Sequence, residues 1–173
     1  MARCQPCSGG RRKVRLTVYT DFSLRVLMFL ALKGDRLATI AEIAKAYGIS
    51  KNHLMKVVYQ LGLAGYVETV RGKGGGMRLA QPPQDIVLGE VVRRTEPDMA
   101  LVPCFAPDDA SCAIFSSCAL RGALSKARDA FLSVLDEHTL ADLVRTRAPL
   151  RKLLFFNPNG RTETQISRSA RRA

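Results

Sequence analysis

The sequence predicts a mainly α fold, a winged helix-turn-helix with a two-stranded β wing and a long C-terminal dimerisation helix, on three observations. Gly48 separates two short segments whose apolar residues follow helical spacing, as two helices joined by a tight turn require. Two β-prone runs, Tyr66 to Val70 and Met77 to Leu79, flank the glycine-rich stretch Arg71-Gly-Lys-Gly-Gly-Gly76. From Cys118 onward, apolar residues recur at Leu120, Leu124, Ala127, Phe131 and Val134, in steps of 4, 3, 4 and 3, the spacing of a coiled-coil seam.

In chain order, the first helix is expected from about Asp21 to Lys33, with Thr20 or Asp21 as N-cap and Gly34 as the stop. It is apolar on nearly every side, which places it in the middle of a small domain. Thr39-Ile-Ala-Glu42 has the spacing of a capping box and opens a helix over 40 to 47. Ile49 then plugs the core. Ser50 caps a third helix whose inner face is Leu54, Val57, Val58 and Leu61. Its outer face carries Lys51, Asn52, His53, Lys56, Tyr59 and Gln60, a mixture that suits a recognition helix and, taken alone, equally suits an ordinary solvated face. The glycine-rich hairpin that follows has basic residues at its tip, as a wing does. It returns to a strand rather than a helix, and so is no P-loop. A short helix is expected over Leu88 to Thr95. A loop from Glu96 to Ser117 with three prolines then leads into the seam helix of about twenty residues, which packs either on its own domain or, as favoured here, against a second copy.

The formal charge of +12 is uneven: residues 1–13 and 157–173 together hold +7, residues 14–81 hold +6, and residues 82–156 hold −1. A basic N-terminal half fits a polyanionic partner. The longest apolar run, Val26 to Leu32, has seven residues, far short of the roughly 20 of a membrane span. The N-terminus lacks the apolar core of a secretory signal. A cytoplasmic protein without a membrane partner is expected, in which five cysteines are reduced ligands or redox thiols rather than disulfides.

Cys104, Cys112 and Cys118 put three thiols within fifteen residues, which suggests a metal or cluster. Zinc sites favour two close pairs, whereas iron-sulfur clusters accept looser spacing and one non-cysteine ligand. The thiols could also be small buried hydrophobes. A nucleophilic cysteine paired with His53 or His138 lacks any flanking motif, and no enzyme is expected. Cys4 and Cys7 form a separate pair to which no role is assigned.

From Val14 to Phe155 the chain resembles the iron-sulfur winged-helix repressors that include NsrR and IscR, more so NsrR. The resemblance is carried by Arg15-Leu-Thr-Val-Tyr-Thr-Asp-Phe-Ser-Leu-Arg25, Tyr47-Gly-Ile-Ser-Lys-Asn-His-Leu-Met-Lys56, Gly65-Tyr-Val67 and Arg71-Gly-Lys-Gly-Gly-Gly-Met-Arg-Leu79. Val91, Glu96-Pro97, the three cysteines and Leu140-Ala-Asp-Leu-Val144 complete it. It implies a homodimer on a pseudo-palindromic operator in double-stranded DNA, with one [2Fe-2S] or [4Fe-4S] cluster per subunit and nitric oxide as the signal that releases DNA. Cys104, Cys112 and Cys118 would be ligands. The IscR-type histidine three residues after the third cysteine is replaced by Arg121, and the NsrR-type aspartate from the partner subunit maps onto Asp21, which could equally be a helix cap. The seven-residue gap between the first two cysteines leaves the cluster type open. The resembling chains begin near Val14, which implies that residues 1–13 are an over-extended gene start.

Four segments are therefore expected: a basic leader (1–13), a DNA-binding domain (14–81), a cluster loop with the dimerisation helix (82–156) and a disordered basic tail (157–173). Ser50, Lys51, Asn52, His53, Lys56, Arg71, Lys73 and Arg78 are the expected DNA-binding residues, with Asn52 and His53 on base edges and Arg78 reaching a minor groove from the wing. The alternative is a redox regulator of the same fold, cluster-dependent or thiol-based, that answers another signal.

Overall fold

The computed structural model describes residues 15–105 and 112–155, so the expectations for the leader and the tail lie outside the described residues. The first helix, α1 (Val18–Lys33), starts a turn before the predicted position. Its N-cap is Thr17, whose hydroxyl accepts from the Thr20 amide; neither Thr20 nor Asp21 caps it. Thr17 is chosen by a tertiary contact. Its amide and hydroxyl both donate to the Glu96 carboxylate, at 2.8 and 3.1 Å, across 79 residues of chain. As predicted, α1 is wrapped on all sides: Val26, Leu27, Phe29, Leu30 and Leu32 are each no more than 1% exposed. Gly34 ends it at φ 67°, a conformation that favours glycine.

The capping box forms as expected on α2 (Ile40–Tyr47): the Glu42 amide donates to the Thr39 hydroxyl, and the Thr39 amide to the Glu42 carboxylate. A left-handed Gly48 turns the chain into α3 (Lys51–Leu63), capped by Ser50, with Leu54, Val57, Val58 and Leu61 buried. Strands β1 (Val67–Val70) and β2 (Gly76–Leu79) pair antiparallel, Val67 opposite Leu79 and Val70 opposite Gly76. Ala38 and Met77 exchange two backbone hydrogen bonds, of 2.9 and 2.8 Å, and so stitch the hairpin to the segment between α1 and α2. A Cβ at Gly76 would lie 2.6 Å from the Ala38 carbonyl oxygen, so this approach requires glycine.

Helix α4 (Leu88–Thr95) matches its predicted span, and α5 (Ala119–Asp136) is the predicted long helix. The two are clasped by a bidentate pair, both Arg93 nitrogens donating to Asp136 at 2.6 Å, over Gly89, where any side chain would collide with the carboxylate. Two further helices, α6 (Leu140–Leu143) and α7 (Arg147–Phe155), return to the core. The Phe155 ring packs edge-on against Phe29, 5.0 Å between centroids, and Arg151 donates to the Leu32 carbonyl at the end of α1. Helix α6, of four residues, is too short for periodicity to reveal in sequence, and α7 was not predicted.

Burial pushes the Glu42 carboxyl up, but the Lys33 ammonium and the Thr39 amide and hydroxyl outweigh it and hold it below the ordinary carboxylate range. A depressed folded pKa contributes stability at neutral pH that is lost as pH falls from the ordinary carboxylate range toward the folded value. Thr39→Ala should lower the unfolding free energy by about 1 kcal/mol. Glu42→Gln should flatten the acid limb of stability against pH. Urea titrations of both variants between neutral and acid pH check this.

Candidate nucleic-acid interface and cysteine loop

The outer face of α3 and the wing each carry exposed basic residues. Lys51, Asn52, His53 and Lys56 are exposed on α3, with Met55, Tyr59 and Gln60 among them. The Ser50 hydroxyl is engaged as the cap, accepting from the His53 amide at 3.4 Å. The His53 ring lies 6.1 Å from that of Phe22 and ties the start of α3 to α1. At the wing, Arg71 and Lys73 are exposed on either side of Gly72, and the φ angles of Gly72 and Gly74, 103° and 81°, shape the tip. Among the described residues, Lys51, Lys56, Arg71 and Lys73 take part in no ion pair. Arg78 does: it faces Glu68 across the hairpin and pairs with it. Arg78 is thus less available to a phosphate than the other four.

The three thiols are free and stand outside the core. Cys104 is half-buried in a one-turn helix, Pro103–Phe105; Cys112 is exposed; and Cys118 caps α5, its sulfur accepting from the Arg121 amide at 3.4 Å. Small buried hydrophobes would not sit this way. Two arginines on one side of α5, seven residues apart, lie over rings that border the cysteines: Arg121 over Phe115 at 4.3 Å and Arg128 over Phe105 at 5.2 Å. These stacking contacts had no separate signature in sequence. The donor set, three uncommitted thiols at the foot of a helix, fits a cluster chemically. Among the described residues, however, no three His, Cys, Asp or Glu groups come together as a finished metal site within one chain.

Asp21 is not brought to these cysteines as a member of such a group. It sits in the first turn of α1, half-exposed, and pairs with Arg25 at 2.9 Å. The Arg25 guanidinium also lies 5.8 Å from the ring centre of Tyr47, the last residue of α2. Burial pushes the Tyr47 hydroxyl up to about 12, against the Arg25 charge that lowers it. Sequence reasoning missed Arg25, which an i, i+4 search for an aspartate and an arginine would have found.

A family described as "Rrf2: Iron-dependent Transcriptional regulator" matches residues 16–146. The chain belongs to the Rrf2 family. It is 53% identical over 142 residues to the HTH-type transcriptional regulator NsrR of Bacillus subtilis (strain 168), covering 82% of this chain and 97% of that protein. The NsrR of Geobacillus kaustophilus is 52% identical over the same shares of both chains. Among solved structures, the global cysteine regulator CymR of B. subtilis superposes with a TM-score of 0.64 at 27% identity, over 78% of this chain and 98% of that one. IscR of T. potens, at 24% identity and a TM-score of 0.64 over 81% and 93% of the two chains, supports the fold alone. This Rrf2 member is therefore a winged-helix transcriptional regulator of NsrR type, and its relatives are regulators rather than enzymes. Among the described residues, no helix is long and apolar enough to cross a membrane.

In reduced, metal-free protein, iodoacetamide should modify Cys112 first and Cys104 and Cys118 more slowly, without denaturant. Peptide mapping by mass spectrometry against time gives the order, and labelling that requires denaturant would return the thiols to the core.

Proposed function

We propose that the chain is a cytoplasmic repressor that binds operator DNA as a homodimer and senses nitric oxide through an iron-sulfur cluster. Its ligands would be Cys104, Cys112 and Cys118, with Asp21 of the partner subunit. The observation that carries this reading is the set of three free thiols outside the core, on the segment leading into α5. The exposed seam residues Leu120, Phe131 and Val134 on α5 supply an apolar face for a second copy. Lys51, Lys56, Arg71 and Lys73 provide phosphate contacts, and Asn52 reads a base edge.

When bound, such a cluster supplies iron for nitric oxide to attack. The chain's own residues turn that event into a change at the DNA face. An Asp21 that held the partner's cluster would be unavailable to Arg25, whose guanidinium lies against Tyr47 beside the Gly48 turn. Its neighbour Phe22 bears on His53 at the start of α3. Free of that role, Asp21 would hold the ion pair with Arg25 described above and offset its charge beside the helix-turn-helix. Two states of Asp21 thus bias the orientation of α3, and a differential affinity for DNA between them is what coupling requires.

The visible absorption of anaerobically purified protein, before and after nitric oxide, tests the sensor. A broad absorption that bleaches or shifts is expected, and Cys118→Ala should lack it. Protein that stays colourless after reconstitution with iron and sulfide would overturn the cluster. The second reading, a thiol-based regulator, would then stand, favoured by the absence of a finished metal site within one chain among the described residues. For DNA, eight phosphate contacts per dimer set a limiting slope of log K against log salt near about −7, and about half of that is expected. Fluorescence anisotropy over a salt series measures it, and a slope near zero would exclude phosphate contact.

A further inference from the structure

The side of α3 turned away from the core is less polar than phosphate binding alone requires. Leu54, Val57, Val58 and Leu61 bury the inner side. At 3.6 residues per turn the opposite stripe runs Asn52, Lys56, Tyr59 and Leu63, with Met55 beside it between Asn52 and Tyr59. Met55 is 50% exposed, Tyr59 64% and Leu63 68%. None of the three belongs to the hydrophobic core, and the apolar seam lies on a different helix, α5. Large apolar side chains are thus left in water on a helix that also carries Lys51 and Lys56 and is followed by a basic wing. An occupant of this face must offer apolar groups inside a polyanionic surface. In the major groove of a DNA duplex, the apolar group on a base edge is the C5-methyl of thymine.

We infer that Met55 and Tyr59 are specificity-determining residues that contact thymine methyl groups in each half of the operator. The inference rests on the reading that the chain binds duplex DNA. Asn52, one turn before Met55, matches the adenine edge of a neighbouring A·T pair, so the stripe reads a short A·T-containing block as one footprint. Leu63 stands about 16 Å beyond Asn52 along the helix axis, past the bases when the N-terminal end of the helix enters the groove. His53, its ring 6.1 Å from that of Phe22, sits to the side of this stripe.

The test uses the full-length protein, purified anaerobically, and duplexes selected by it from a random pool. Thymidines in the selected half-site are replaced one at a time by deoxyuridine, which deletes only the methyl. Each methyl that Met55 or Tyr59 buries should cost about 4-fold in affinity, and Met55→Ala or Tyr59→Ala should abolish the difference at its own position. Both side chains are exposed, so thermal unfolding of the variants should match the parent and confirm that they fold. Sequence-specific binding that is indifferent to deoxyuridine overturns the inference and leaves the DNA-binding reading intact. Methyl sensitivity that survives in both variants also overturns it. A protein that selects no sequence overturns the inference together with the reading it rests on.

Discussion

The structure depends on the burial of the apolar run of α1 from Val26 to Leu32. A helix apolar on every side has no face to give to solvent, so each of its sides must be covered by another element. Helices α3, α4, α6 and α7 and strand β2 supply that cover, and the ends of α1 are fastened as well, Thr17 to Glu96 at the start and the Leu32 carbonyl to Arg151 at the finish. The covering elements are spread from residue 51 to residue 155, which is why a reading head near residue 50 and a C-terminal helix near residue 150 share one core.

Covering α1 also creates the functional face. Four residues of α3 are spent on the core, and helical periodicity leaves the others outside, in water, with their hydrogen-bonding groups and charges uncommitted. The hairpin is fixed by the Ala38–Met77 bonds along β2, one pair from its turn, so Arg71 and Lys73 extend from a held support. Arg78 lies within the paired part of the hairpin, where the residue opposite is an acid, and the cross-strand pair neutralises it. Position within the hairpin therefore separates cations that hold the fold from cations that remain for a partner.

Much of this was legible in sequence because it follows from local rules. The Thr39–Glu42 box, the Gly48 turn, the Ser50 cap, the inner face of α3 and the span of α4 are each set by residues within a few positions of one another. What was not legible is set by distant ones. Thr17 displaces Thr20 and Asp21 as the cap because Glu96, far along the chain, binds it, and Arg78 is quieted by a strand partner. At the cysteines, sequence showed three thiols and a helix start, but not Arg121 and Arg128 stacked on Phe115 and Phe105, since those aromatics have no periodic relation to α5. The same limit applies to Asp21, whose pairing with Arg25 is local while its proposed role lies across a subunit boundary.

The size of these distant contacts bears on how such a molecule could switch. A hundredfold change in DNA affinity is about 2.8 kcal/mol. Each arginine–aromatic stack contributes about 0.5–1 kcal/mol at an exposed site, and an exposed ion pair such as Asp21–Arg25 falls in a similar range. No single contact of this kind accounts for a switch, but a symmetric dimer would have two copies of each, and the Arg93–Asp136 clasp joins the helix that begins at Cys118 to α4, whose C-terminal neighbour Glu96 holds the start of α1. A change at the cysteines thus has a packed route through α5 and α4 to the end of α1 that bears Asp21 and Phe22, and from there to His53 on α3. Weak contacts summed over two subunits and carried by a helix that cannot leave the core give the order of free energy that a switch of this kind requires.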